Sequence, residues 1–235
     1  MRISTFIMSC TQRQVALRQT LTSLAASGWR GEPEVIMDQG LGDSTLGRIW
    51  DTWKRMIARA AQAETPYVLL LEDDVIFGRW FPQNLDSWGL PRGLPPGTAF
   101  YASLYNPGLP YITRNESENY LVADPRWVWG SQALLLSTST ARFIERNWNT
   151  VELNPDMRMP RLVRPITPVY YHVPSLVDHA PAPTTWGGIV HSAIDFDPEW
   201  RSSRDGSAPA PPCIRSSDSA CSTSPTTEFQ SPGPC

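Results

Sequence analysis

PYVLLLEDDVIFG, residues 66–78, sets three consecutive carboxylates in an otherwise apolar run. An ionised carboxylate in apolar surroundings is strongly penalised unless a cation, hydrogen bonds or a metal ion meets it. Two arrangements satisfy that demand: a buried triplet with such partners, or a strand that ends where the acids begin. YVLLL is continuously apolar, as a parallel strand covered on both faces should be. In the second arrangement its acidic end reaches the mouth of a sheet.

The preceding residues supply the rest of such a sheet. RISTFIMS (2–9) reads as a buried first strand, and Thr11 is placed to cap a helix carrying Val15, Leu17, Leu21 and Leu24 on one side. Gly28 ends that helix. PEVIMD (33–38) is a second strand, and QGLGDS leads into a helix over 45–62. There Leu46, Ile49, Trp50, Trp53, Met56, Ile57 and Ala60 follow the three-and-four spacing of one apolar face. With YVLLLEDD as the third strand, the first 75 residues alternate β-α-β-α-β. That order predicts a doubly wound α/β sheet with ligands beyond the carboxyl ends of its strands, at Ser9 to Thr11, Asp38 to Gly40 and Glu72 to Asp74.

The remainder is less regular. TAFYASLY (98–105), NYLVA (119–123) and PVYYHV (168–173) read as strands, WVWGSQALLLS leads into a helix over 139–147, and NPDMRMPRLV holds one or two helical turns. PSLVDHAPAPTTWGG is a Pro- and Gly-punctuated loop. From 202 the composition shifts to Ser, Pro, Thr and Cys, which predicts a disordered tail over 202–235 after one domain over 1–201.

Apolar residues at 41% and charged residues at 18% suit a soluble globular enzyme. A net charge of −3 argues against a broad nucleic-acid footprint. No apolar window reaches the length of a membrane span, and MRISTFIMSC lacks the h-region and cleavage pattern of a signal peptide. A cytoplasmic protein is expected, with peripheral membrane contact left open. Cys10 lies in the first apolar run and Cys213, Cys221 and Cys235 lie in the tail without metal-ligand spacing, so no disulfide scaffold is expected. The sequon at Asn115 to Ser117 carries no weight in a cytoplasmic chain, and P-loop, GxSxG and HExxH patterns are absent.

Carboxylates gathered at a strand end favour a hard divalent cation such as Mg2+ or Mn2+. A cation bridging diphosphate oxygens neutralises charge as the diphosphate departs. LLLEDDV after two β-α units resembles the acidic DxD-type motif of GT-A nucleotide-sugar glycosyltransferases, particularly the EDD forms of N-acetylglucosaminyltransferases and lipopolysaccharide family-25-like enzymes. The resemblance spans roughly residues 2–200 and is motif-level at four places. It implies a GT-A-like, Rossmann-like mixed sheet flanked by helices. It also implies hexosyl or N-acetylhexosaminyl transfer from a nucleoside diphosphate sugar, a uridine one, to a glycan or glycolipid hydroxyl, with Mn2+ or Mg2+ and inversion.

Residue by residue, the resemblance puts Arg13 at the nucleotide with Ser9 and Thr11 nearby, and Asp38 at the base or ribose. For Arg48 a surface role is the leading reading and a phosphate contact the lesser one. Asp74 becomes the best metal ligand, with Asp73 and Glu72 contacting ribose, water or metal, and His179 a further ligand. Gly130, Ser131 and Gln132 fall by the donor sugar, and Trp127 and Trp129 are candidates to stack on sugar rings. Asp156 becomes the general base, with Glu152 the weaker candidate; His172 looks structural and His191 receives no assignment.

Plainer readings stand beside these. Arg13 could be a solvated first-turn residue, Asp38 ordinary turn chemistry, the triplet a strand-end acidic cluster, and Asp156 a helix cap after Pro155. The competing functions are a metal-dependent phosphohydrolase or nuclease, a non-catalytic sugar-nucleotide-binding protein, and a purely structural domain. An Asp156 remote from the acidic turn would favour the non-catalytic binder.

Overall fold

The computed structural model describes residues 1–108, 112–115, 119–180 and 192–203, without the side chains of 112–115 and Trp127. The expected tail from 204 onward with Cys213, Cys221 and Cys235, the end of the sequon, His191 and loop residues 181–188 lie outside the described residues.

The strand at the centre of the opening argument is β3, Tyr67–Leu71, and it stops one residue before Glu72. The carboxylates therefore follow the strand rather than sit within it. On one side of β3 runs β1 (Ile3–Ser9), parallel, with Ile7 opposite Leu71; β1 also pairs in parallel with β2 (Glu34–Met37). The helices between them are α1 (Gln14–Ala26) and α2 (Thr45–Ala61). Ser44 caps α2 by accepting from the Gly47 N–H at 3.0 Å.

Beyond β3 the sheet is mixed. β8 (Ala133–Ser137) lies antiparallel to β3, β5 (Tyr101–Ser103) antiparallel to β8, and β9 (Val169–His172) parallel to β5. β7 (Tyr120–Ala123) and β6 (Ile112–Asn115) follow, both antiparallel to their neighbours, giving the order β2-β1-β3-β8-β5-β9-β7-β6. This is an α/β mixed sheet flanked by helices. Alternation along the strands divides the core: Val68 and Leu70 face α2, α5 (Thr138–Asn147) and α6 (Pro155–Val163), while Leu69 and Leu71 join Leu24 of α1 and Phe81, Leu85 and Leu90 of α3 (Phe81–Ser87) and α4 (Gly89–Gly93).

Several expectations change. Thr11 makes no side-chain cap, because a 3-10 turn over Thr11–Arg13 precedes α1. Val15 is 61% exposed; the inner face of α1 is Ala16, Thr20 and Leu24, flanked by Leu17 and Leu21, and its small residues let the helix approach the acidic turn. TAFYASLY forms a strand only over Tyr101–Ser103. Within the expected loop, Val177–His179 forms β10, antiparallel to β4 (Val75–Phe77) in a separate two-stranded ribbon. That ribbon brings His179 back beside the acids. No helix among the described residues is long and apolar enough to cross a membrane.

Candidate active site

A cavity of about 730 Å3 opens beyond the carboxyl ends of β1, β2 and β3. Its wall includes Ser9 and Arg13 after the first strand, Asp38 after the second, and Glu72, Asp73 and Asp74 after the third. It is also lined by Trp129, Gly130, Ser131, Gln132 and Asp156, with His179 beside the acids. The fold thus draws residues as distant in sequence as Ser9 and His179 into one concavity. Thr11 is exposed on its 3-10 turn and does not line the cavity. Glu152 faces a neighbouring groove with Trp50, Trp148 and Arg158 instead.

The three acids occupy three environments. Asp73 accepts from Ser9 Oγ at 2.5 Å and from Arg13 Nε at 2.7 Å, yet burial outweighs these partners and holds its pKa above the ordinary value. For Asp74, burial is outweighed by the hydrogen bond and charge of His179 and by the Arg13 guanidinium, so its pKa is lowered. His179 Nε2 stands 3.2 Å from Asp74 Oδ2, and the imidazole pKa is raised, chiefly by that hydrogen bond. The other ring nitrogen meets the Ala180 carbonyl at 2.9 Å, which fixes the ring's orientation. Glu72 takes a hydrogen bond from Ser131 Oγ, but burial first and the Asp74 charge second push its carboxyl up to about 7.

The turn is held from behind by α1. The buried Thr20 hydroxyl donates to the Asp73 carbonyl at 2.8 Å and accepts from the Val75 N–H at 2.9 Å. Ser23 Oγ accepts from the Phe77 N–H at 2.9 Å. On the other side, Ala180 N–H donates to the Asp74 carbonyl at 2.7 Å and Glu72 N–H to the Gln132 carbonyl at 3.0 Å. These backbone and hydroxyl contacts fix where the carboxylates point.

Asp38 Oδ1 accepts from the Gly40 N–H at 2.8 Å, an Asx-type turn, and its other oxygen lies 3.8 Å from Arg48 Nη1. The turn reading of Asp38 and its place in the cavity are both realised. Gly42 closes this loop with φ +114, where an added Cβ would stand 2.8 Å from the Gly47 carbonyl carbon.

Asp156 sits at the start of α6, after Pro155. Burial raises its pKa against backbone N–H donors that include Met157 and Gly130. Tyr105 also lines the cavity and had no signal in the sequence; burial and the nearby Asp178, Glu72 and Asp74 carboxylates push its phenol pKa upward, so it remains protonated. His172 is buried between Trp88 and Trp200 with a pKa lowered to about 4 by desolvation, which suits a packing role.

No protein-family model and no curated protein matches this chain. Among solved structures it is similar to a glycosyltransferase involved in glycosylation of the major capsid of PBCV-1, at 13% identity and a TM-score of 0.44, over 73% of this chain and 81% of that one. It is also similar to the galactosyltransferase LgtC in complex with donor and acceptor sugar analogues, at 13% identity and a TM-score of 0.40, over 77% and 87% of the two chains. A third similarity, to A197 from STIV, has 11% identity and a TM-score of 0.42 over 87% and 100%. At these scores none of them assigns this chain an activity.

Proposed function

We propose that this chain is a glycosyltransferase of GT-A-like architecture, moving a sugar from a nucleoside diphosphate donor to a glycan or glycolipid hydroxyl. The observation that carries the reading is the meeting, in one cavity, of the acidic turn and the half-buried Asp156. A non-catalytic binder would be favoured by an Asp156 far from that turn, and it lies in the same cavity.

The donor nucleoside would lie between Arg13, Asp38 and Arg48, and its diphosphate at Asp74. Asp74 Oδ1 is buried without a partner, an oxygen suited to a hard cation. Among the described residues no three His, Cys, Asp or Glu side chains are grouped around one point. The groups this chain would offer Mn2+ or Mg2+ are Asp74 Oδ1 and, once released from its hydrogen bond to Asp74 Oδ2, the neutral His179 Nε2, with water and phosphate oxygens as the remaining ligands. A bound cation would supply charge neutralisation for the departing diphosphate.

Asp156 would take the proton from the acceptor hydroxyl as that oxygen attacks the anomeric carbon opposite the diphosphate, inverting its configuration. Its raised pKa brings it toward the range where a base works well near neutrality. Exchange of Asp156→Asn is expected to leave nucleoside diphosphate affinity nearly unchanged and to lower transfer by about 10²–10⁴-fold, the usual worth of a general base. Wild-type transfer rates in Asp156→Asn would reject the assignment.

A further inference from the structure

The groove that takes Glu152 is a second hollow, of about 390 Å3, a volume within the range of small-molecule sites. Trp50, Asp51 and Lys54 of α2 line it together with Trp148, Glu152 and Arg158. The same two helices wall the cavity through other residues, Ile49, Thr52 and Trp53 of α2 and Asp156 of α6, and the two hollows share no lining residue. The groove therefore neighbours the candidate active site without belonging to it.

Arg158 is 3% exposed, and a guanidinium so deeply buried demands partners. It lies over the Trp50 ring at 4.2 Å and over the Trp148 ring at 4.9 Å. Its Nε donates to the Leu153 carbonyl at 3.0 Å and its Nη1 to the Trp148 carbonyl at 3.3 Å. Nη2 donates to nothing among the described residues, and no carboxylate among them stands within ion-pair reach of the group; yet this nitrogen is not sealed from solvent. The planar group is thus fixed by two indoles and two carbonyls while one charged donor stays unspent and accessible. Burial of this kind is costly for a residue that only packs, and the unspent donor points to a ligand.

We infer that the groove holds a neutral sugar unit of the acceptor glycan, remote from the hydroxyl that reacts at Asp156. Arg158 Nη2 and the exposed Lys54 donate to sugar oxygens, the exposed Glu152 carboxylate accepts from a sugar hydroxyl, and the half-buried Trp50 indole gives apolar surface to the ring carbons. This deepens the proposed function and takes its ligand class from it. Sugar hydroxyls both donate and accept, which matches donors and acceptors set side by side around an indole. An anionic ligand would meet the charges of Lys54 and Arg158 but also those of Glu152 and of Asp51, the latter already paired with Arg55 at 2.7 Å.

The test is saturation-transfer NMR titration of the full chain with tetrasaccharides of glucose, galactose, mannose and N-acetylglucosamine, with and without UDP and Mn2+. Wild type, Lys54→Ala and Arg158→Lys are compared, and a melting curve is taken of each. At least one tetrasaccharide is expected to bind wild type, with an affinity that UDP and Mn2+ leave unchanged because the groove lies outside the cavity. Its affinity should fall by about 3-fold or more in Lys54→Ala, which changes an exposed side chain and should melt as wild type does, and by about 10-fold in Arg158→Lys. Binding of none of the four, or binding equal in all three proteins, would overturn the inference. Loss of the saccharide on adding UDP and Mn2+ would place it in the cavity and overturn it as well. Weaker binding in Arg158→Lys with a lower melting temperature, and none of it in Lys54→Ala, would make Arg158 a packing residue. UDP binding without saccharide binding would remove this inference alone, whereas variant-sensitive saccharide binding without any nucleotide binding would remove the transferase reading and leave the groove.

Discussion

Glu72 shows how one side chain's surroundings decide its chemistry. Its carboxyl is desolvated and next to Asp74, so the folded protein holds its proton up to about pH 7, above the ordinary value for Glu. A folded-state pKa raised in this way stabilises the fold fully below the unfolded pKa, and that contribution is lost as pH rises through the folded value. Metal-free wild type is therefore expected to lose stability between about pH 4.5 and 7.5 at this residue. Glu72→Gln removes the ionisation: its free energy of unfolding relative to wild type should increase across this window, by on the order of 1 kcal/mol or more at pH 8. A pH-independent difference between the two proteins, measured in chelator, would contradict the assignment. At this scale the sequence marked the acids by their place after an apolar strand, but it carried no mark of Tyr105 or Thr20. Both are ordinary residues in apolar runs whose polar atoms matter only because of what folds against them.

At the scale of elements, α1 does more than cover the sheet. Its Thr20 and Ser23 hydroxyls accept the Val75 and Phe77 N–H groups, replacing one side of a strand ladder for β4, and Thr20 also holds the Asp73 carbonyl. Thr20→Val keeps the shape and strands both backbone groups in a fully buried place. The expected loss is about 1–3 kcal/mol in chemical denaturation, with weaker Mn2+-dependent nucleotide binding because the acidic turn loosens. A variant as stable as wild type with intact binding would show that α1 does not position the turn. The first five elements were legible because each has a strong period: α2 buries Trp53, Met56, Ile57 and Ala60 as its spacing predicts. The second half was not, since β4, β5 and β10 are three residues each, too short to carry a period, and β10 exists through pairing with a segment a hundred residues away. The placement of Val15 failed for a related reason, because the inner face of α1 is small and partly polar where it meets the turn.

Across the whole molecule, the candidate site is built from both halves of the chain, one part from the ends of β1 to β3 and the other from residues 129–132 and 154–156. The described chain is tied down as far as Ser202, where Asn84 donates to the Trp200 carbonyl at 3.0 Å and accepts from the Ser202 N–H at 2.9 Å. Removing residues 205–235, whose composition offers little to a core, should leave cooperative melting within about 2–4 °C of the full chain. Loss of the cooperative transition would place that segment in the domain.

Calorimetric titration with UDP, GDP and CMP, each with and without Mn2+, on wild type and Asp74→Ala tests the central claim most directly. The account predicts that one nucleoside diphosphate binds, that its binding depends on Mn2+, and that Asp74→Ala abolishes that dependence. Failure of all three nucleotides to bind would contradict it and leave the EDD turn as an acidic cluster at the end of β3.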